Sequence, residues 1–172
     1  LTVARCDSGQ RTVLLGAVFF AAFFADIIRD CERKLANKQL TIIVDVPPDL
    51  SPIRADRTRL QEALYNLLDN AVKYSREQSE IQVSAQHRDG EIELNVSDDG
   101  IGIAKEDLPR IFERFYRADK ARSPDKVRGT GLGLAIVKHI AQLHGGRVEA
   151  ESELGKGTTI RVLLPIRITK SE

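Results

Sequence analysis

Asn66 and Asn70, four residues apart, and Lys73 with Tyr74 just beyond them, bring two carboxamides, an ammonium and an aromatic ring within two helical turns. Residues i and i+4 on a helix sit one above the other. At about 100° per residue the four line one edge of a helix spanning Leu60–Ser75, LQEALYNLLDNAVKYS. Such an edge can hold a hard cation and the polar groups of a ligand. The ordinary alternative is that both asparagines are solvated or cap nearby backbone. A second chemistry-bearing stretch is Asp98-Asp99-Gly100-Ile101-Gly102. Its glycines permit positive φ and close backbone approach, and its carboxylate can accept from an exocyclic amine. Taken alone it reads equally as a plain Asp/Gly turn. The third is Gly129-Thr130-Gly131-Leu132-Gly133, which opens a helix. Backbone N–H groups at a helix start favour anions, although glycine there can also serve only a tight entry turn.

These turns are neither of the two commonest phosphate loops. The third glycine is misplaced for a dinucleotide fingerprint, and no strand immediately precedes it. Gly155-Lys156 has Ala150 where a Walker A loop needs glycine, so GKGTT reads as a hairpin turn. Between the two glycine turns lies a basic, proline-interrupted stretch carrying Arg110, Arg114, Arg117, Lys120, Arg122, Lys126 and Arg128. Loops of this length in compact domains are usually functional lids or disordered segments. Ile111-Phe112-Glu113-Arg114-Phe115-Tyr116 supplies it with apolar anchors.

The elements that must position these groups are legible from periodicity. Leu60, Ala63, Leu64, Leu67, Leu68 and Ala71 form one apolar stripe, and Asp56 is a good N-cap for that helix. Leu1–Ser8 reads as the end of a helix with Gly9 as C-cap, and a second helical stretch as about Ala17–Asn37. Leu40–Val46 is strand-like, and Pro47, Pro48 and Pro52 then break the chain. Glu80–Gln86 and Glu91–Ser97 alternate apolar and polar residues about Asp89-Gly90, a strong hairpin signal. A helix over Leu132–His144 ends at Gly145-Gly146, followed by strands Arg147–Ser152 and Thr158–Leu164 and a polar tail. Hairpins with helices segregated between them predict an α+β fold: a two-layer α/β sandwich, with a mixed, mostly antiparallel sheet and helices on one face.

Composition bounds the function classes. The 172 residues suffice for one domain with a full core, and 42% hydrophobic with 30% charged residues is globular composition. Lys+Arg 26 against Asp+Glu 25 provides no electrostatic case for nucleic acid. Cys6 and Cys31 have no metal-ligand spacing and form no disulfide framework, so a reducing, cytoplasmic setting is the default. The chain starts at Leu1 rather than Met and reads as a fragment. Val13–Ala25, VLLGAVFFAAFFA, spans about 20 Å as a helix, short of a roughly 30 Å hydrocarbon core, and is expected as a buried core or interface segment. Phe19, Phe20, Phe23 and Phe24 would make a sticky surface if left uncovered.

In combination and in this order, the Asn/Asn helix, the DxGxG turn, the Phe-rich segment and the GxGxG helix start resemble the N, G1, F and G2 boxes of sensor histidine kinases. The resemblance covers about Ala25–Pro165. It implies the catalytic, ATP-binding domain of a two-component kinase, with the Bergerat fold shared by gyrase B, MutL and the heat-shock chaperone ATPases. It also implies that residues 1–15 close the dimerisation and phosphotransfer helix and its linker, that 16–166 form the catalytic domain, and that 167–172 are a tail. Carried over by residue, Asn70 would ligate Mg²⁺, with Asn66 on the same ion or its water. Lys73 would reach a phosphate and Tyr74 would cover the adenine. Asp98 would accept from the adenine amino group in a pocket shaped by Gly100, Gly102 and Ile103. Gly129, Thr130, Gly131, Leu132 and Gly133 would close over the phosphates. Asn66, Lys73 and Arg117 would act on the transferred phosphoryl group. The implied partners are ATP, a phosphotransfer domain that makes the parent protein a homodimer, and a response regulator receiver domain. The implied location is cytoplasmic, on a parent that could be anchored in the inner membrane. None of His87, His139 and His144 has the context of a phosphoacceptor, and all three read as structural or surface residues. Two rivals are an ATP-hydrolysing conformational switch of the same fold and a nucleotide-binding interaction module without transfer activity. The first class carries a Glu as general base where Asn66 stands.

Overall fold

The computed structural model describes residues 2–4, 13–118 and 129–166. Elements follow in the order β1 (Thr2–Ala4), β2 (Val13–Val18), α1 (Phe20–Asn37), β3 (Thr41–Asp45), β4 (Ile53–Ala55), α2 (Arg57–Tyr74), β5 (Glu80–Arg88) and β6 (Glu91–Asp98). A 3₁₀ turn at Leu108–Arg110, α3 (Gly133–Leu143), β7 (Arg147–Glu153) and β8 (Gly157–Pro165) complete them. The main sheet runs β3-β5-β6-β8-β7, with β3 parallel to β5 and every other pair antiparallel. A smaller sheet runs β1-β2-β4.

Burial follows the strand period of two. Ile81, Val83 and Ala85 of β5, Ile92, Leu94 and Val96 of β6, and Ile160, Val162 and Leu164 of β8 point to one face. There they share a core with the α2 stripe Leu60, Ala63, Leu64, Leu67, Leu68 and Ala71, with Val137 and Ile140 of α3, and with Phe23 and Ile27 of α1. The helices therefore cover one sheet face, as the pattern predicts. On the other face Glu93 is ion-paired to Arg88 at 2.6 Å and accepts from Gln86 and Asn95. The Asp89-Gly90 turn has positive φ at both residues, 50° and 80°, which is the type I′ requirement of a two-residue hairpin. At the end of α3, Gly145 takes φ 75° and the Gly146 N–H returns to Ala141 O at 2.9 Å.

The amino-terminal part departs from expectation. Thr2–Ala4, expected as a helix end, is a strand paired with β2, and the expected C-cap Gly9 lies outside the described residues. Val13–Val18 is also a strand, so the helix expected from about Ala17 begins at Phe20. An unbroken apolar run shows no period. Only in the fold do buried Val13, Leu15 and Val18 separate from exposed Leu14. Phe20, Phe23 and Phe24 are buried against one another, with centroids 5.9–6.5 Å apart, and of these four phenylalanines Phe19 is the exposed one. β4 lies in the proline-broken stretch and exists because β2 offers it an edge. No helix among the described residues is long and apolar enough to cross a membrane.

Candidate functional site

The α2 helix is built to present its edge. Asp56 caps it, accepting from the Arg59 N–H at 3.1 Å. The Asp56 N–H in turn donates to Nε2 of buried His144, whose Nδ1 lies 2.8 Å from Ile140 O. His144 is thus a buried structural residue that joins the ends of α2 and α3, while His87 and His139 are exposed. With the stripe buried, Asn66, Asn70, Lys73 and Tyr74 are left half-buried at the rim of a cavity of about 950 Å³. The Asn66 Nδ2 donates to Glu62 O at 2.9 Å, which turns its Oδ1 toward the start of α3. A Cβ on Gly133 would stand 3.1 Å from that oxygen.

Asp98 ends β6 at the cavity floor. Its Oδ1 accepts from the Gly100 N–H at 2.8 Å, and the Thr158 backbone also hydrogen-bonds it. Burial nevertheless raises its pKa from the usual carboxylate range to about 6, outweighing those two bonds. The turn beyond it is wedged in place. Ile101 N–H donates to Tyr74 O, Gly155 N–H donates to Ile101 O at 2.7 Å, and Ile103 N–H donates to Ser152 Oγ. Gly102 takes φ +69°, and a Cβ there would fall 2.0 Å from Glu153 O.

The opposite lip is Gly129–Gly133. Gly131 takes φ +71°, and its carbonyl accepts from Phe115 N–H at 2.8 Å. Thr130 Oγ1 accepts from Leu132 N–H, with Leu132 as the N-cap residue of α3. Ile111 is buried and Phe112 packs on the core, so they anchor the Phe-rich segment, whereas Phe115 is exposed. Tyr116 donates to Asp107 Oδ1 at 2.5 Å beneath the Arg110 guanidinium, 4.2 Å from the ring centroid.

Of the residues predicted from sequence, the cavity is lined by Asn66, Asn70, Lys73, Tyr74, Asp98, Gly102, Ile103, Arg117, Gly129, Thr130, Gly131 and Gly133. Gly100 and Leu132 do not line it. They act behind the wall, through Gly100 N–H on Asp98 and Leu132 at the start of α3. Lys120, Arg122, Lys126 and Arg128 lie outside the described residues. Sequence reasoning missed Arg76, Asp107, Leu154, Gly155, Thr158 and Ile160, which also line the cavity. The GKGTT stretch is a hairpin turn as expected, and it is also part of the site. A Cβ on Gly157 would stand 2.0 Å from Asp98 O. The available signal was a Gly-Thr pair at the start of a strand, but nothing local says what that strand faces.

Residues 55–168 match the family described as histidine kinase-, DNA gyrase B-, and HSP90-like ATPase. The sensor-like histidine kinase SenX3 of Mycobacterium tuberculosis (strain H37Rv) is 46% identical over 168 residues, covering 98% of this chain and 40% of SenX3. Among solved structures, full-length ShkA in complex with AMPPNP superposes with a TM-score of 0.77 at 32% identity, covering 88% of this chain and 31% of ShkA. The mycobacterial sensor histidine kinase MprB gives 0.72 at 31% identity, covering 88% of this chain and 97% of that one. The chain spans less than half the length of the curated relatives it matches. With the order of motifs, the mixed sheet and a shared cavity where the motifs meet, these likenesses establish that the chain belongs to the histidine kinase-, DNA gyrase B-, and HSP90-like ATPase family, as a catalytic domain of the sensor histidine kinase type.

Proposed function

We propose that this domain binds Mg·ATP and transfers the γ-phosphoryl group to a histidine on a dimerisation and phosphotransfer domain, for relay to a response regulator. The observation that carries this reading is convergence. Three stretches far apart in sequence — the Asn66–Tyr74 edge, the Asp98–Gly102 turn and the Gly129–Gly133 lip — line one cavity of about 950 Å³. That size is in the range of small-molecule and cofactor sites. Asp98 supplies an acceptor for an exocyclic amine at one end, and the Gly-rich start of α3 supplies anion-binding N–H groups at the other. Transfer chemistry of this kind is mostly positioning and electrostatic stabilisation. Arg117, at the lip, is the cation proposed to meet the transferred charge.

The residues present fit a magnesium ion held jointly with a nucleotide. Asn66 and Asn70 offer carbonyl oxygens, which suit a hard cation. Among the described residues no group of three or more His, Cys, Asp or Glu could hold a metal by itself. The remaining ligands would be phosphate oxygens and water, the usual partners of Mg²⁺. When bound, the ion would neutralise phosphate charge. The amide at position 66 places no carboxylate there to activate water, which favours transfer over hydrolysis.

The test mixes this chain with a separately made phosphotransfer domain and labelled ATP, in wild type and Asn70→Ala. Acid-labile phosphate on the added domain, lost in Asn70→Ala, is expected. No acid-labile phosphorylation by the wild type would sink the kinase reading.

A further inference from the structure

Lys73 does not stand alone at the rim. Its Nζ is 2.6 Å from Asp69 Oδ2, one helical turn back on α2. The other oxygen of the same carboxylate, Oδ1, accepts from Lys34 Nζ at 2.8 Å, and Lys34 belongs to the last turn of α1. Each oxygen of Asp69 thus has its own ammonium, one from inside the cavity and one from outside it. Asp69 lines the large cavity and also a second groove of about 660 Å³ between α1 and α2, where Lys34 lies. Burial raises the Asp69 pKa, and hydrogen bonds from Lys34 and then Lys73 more than offset it, so the carboxyl is held below its usual range. One turn after Lys34, Lys38 Nζ donates to the carbonyls of Val72, Lys73 and Ser75 at 2.7, 2.8 and 3.3 Å. The end of α1 therefore grips the last turns of α2 twice, Lys38 through backbone carbonyls and Lys34 through the Asp69 carboxylate.

We propose that Asp69 and Lys34 are positioning residues for Lys73, with Lys34 as the counter-cation that keeps Asp69 neutralised when Lys73 turns from it to a phosphate. This rests on the ATP-binding reading above. The physical reason is electrostatic. A carboxylate on the wall of a phosphate site repels the ligand and retains the lysine the ligand needs. With Lys34 in place the trio carries one net positive charge, and after Lys73 moves it leaves a neutral Asp69–Lys34 pair facing the phosphates. Without Lys34 the same move exposes a bare carboxylate.

Calorimetric titration of the 172-residue chain with Mg·ATP and with adenosine separates this role from simple packing. In Lys34→Ala, ATP affinity is expected to fall about three- to tenfold, less at high salt, while adenosine affinity stays within about twofold. Lys34→Arg restores ATP affinity, because it keeps the charge. Lys34→Ala added to Asp69→Asn has no further effect on ATP, since the charge to be neutralised is gone. Equal losses for ATP and adenosine in Lys34→Ala would overturn the proposal, as would unchanged ATP affinity, or an undiminished Lys34→Ala effect in the Asp69→Asn background. Wild-type titration with ATP tells the two ideas apart. No binding there overturns the nucleotide reading itself, whereas wild-type binding with an indifferent Lys34→Ala overturns only the role of Lys34.

Discussion

The two glycine turns of the site look alike in sequence and differ in the fold. Asp98–Gly102 is clamped on every side: by Asp98 Oδ1 on Gly100, by Tyr74 O on Ile101, by Ile101 O on Gly155, and by Ser152 on Ile103. Gly129–Gly133 is held by the Phe115–Gly131 backbone bond and the 3.3 Å Leu132–Thr130 bond, and a Cβ at Gly129 would meet nothing within 4 Å. In the first turn glycine is needed because backbone from β7 and α2 occupies the side-chain volume. In the second the same constraint holds at Gly131, where Phe115 backbone would stand 2.8 Å from a Cβ, and is absent at Gly129, which has open space around it. Under the proposed ATP reading, a firmly held floor and a less tightly held lip would suit a site that selects one ligand and later releases its product.

The contrast can be broken most severely at Gly102. Gly102→Ala forces a positive φ on alanine and drives its Cβ into Glu153 O, so a loss of about 2–4 kcal/mol is expected in urea unfolding. A loss near zero would mean the floor is not rigid. Next is Asp98→Asn, expected to weaken ATP about 30- to 100-fold by removing a charged acceptor, with a much smaller effect on unfolding. At the lip, Gly131→Ala meets Phe115 backbone at 2.8 Å and a φ of +71°, and should cost about 1–2 kcal/mol. Gly129→Ala, in open space, should stay within about 0.5 kcal/mol by the same measurement.

A pH series sharpens the floor further. The folded-state pKa of Asp98 is raised to about 6, so between the ordinary carboxylate range and pH 6 the folded protein holds a proton that the unfolded chain has lost. That contribution to stability is present at low pH and is lost as pH rises through 6. Nucleotide binding should run the other way, because only the ionised carboxylate accepts from an amine without a competing proton. Affinity is expected to fall as pH drops below about 6, and Asp98→Asn should abolish both trends.

The legible parts of this protein were those where cause and effect lie within one or two turns. The α2 stripe, its Asp56 cap and the edge carrying Asn66, Asn70 and Lys73 follow from a period of 3.6 and appear in the fold as read. The Asp89-Gly90 hairpin and the Gly145-Gly146 stop follow from backbone sterics. What needed the tertiary structure was every decision made by a distant partner. Val13–Val18 became a strand because β1 and β4 pair with it, although its residues alone suit a helix equally. Thr158 belongs to the site because β8 pairs it with Asp98, 60 residues earlier in the numbering. Lys34 and Lys73 share Asp69 only because α1 packs beside α2. The order of residues determined which groups could do chemistry and on which helical edge they stand. The fold decided which of them face one another, because side-chain spacing along a chain says nothing about the distance between elements.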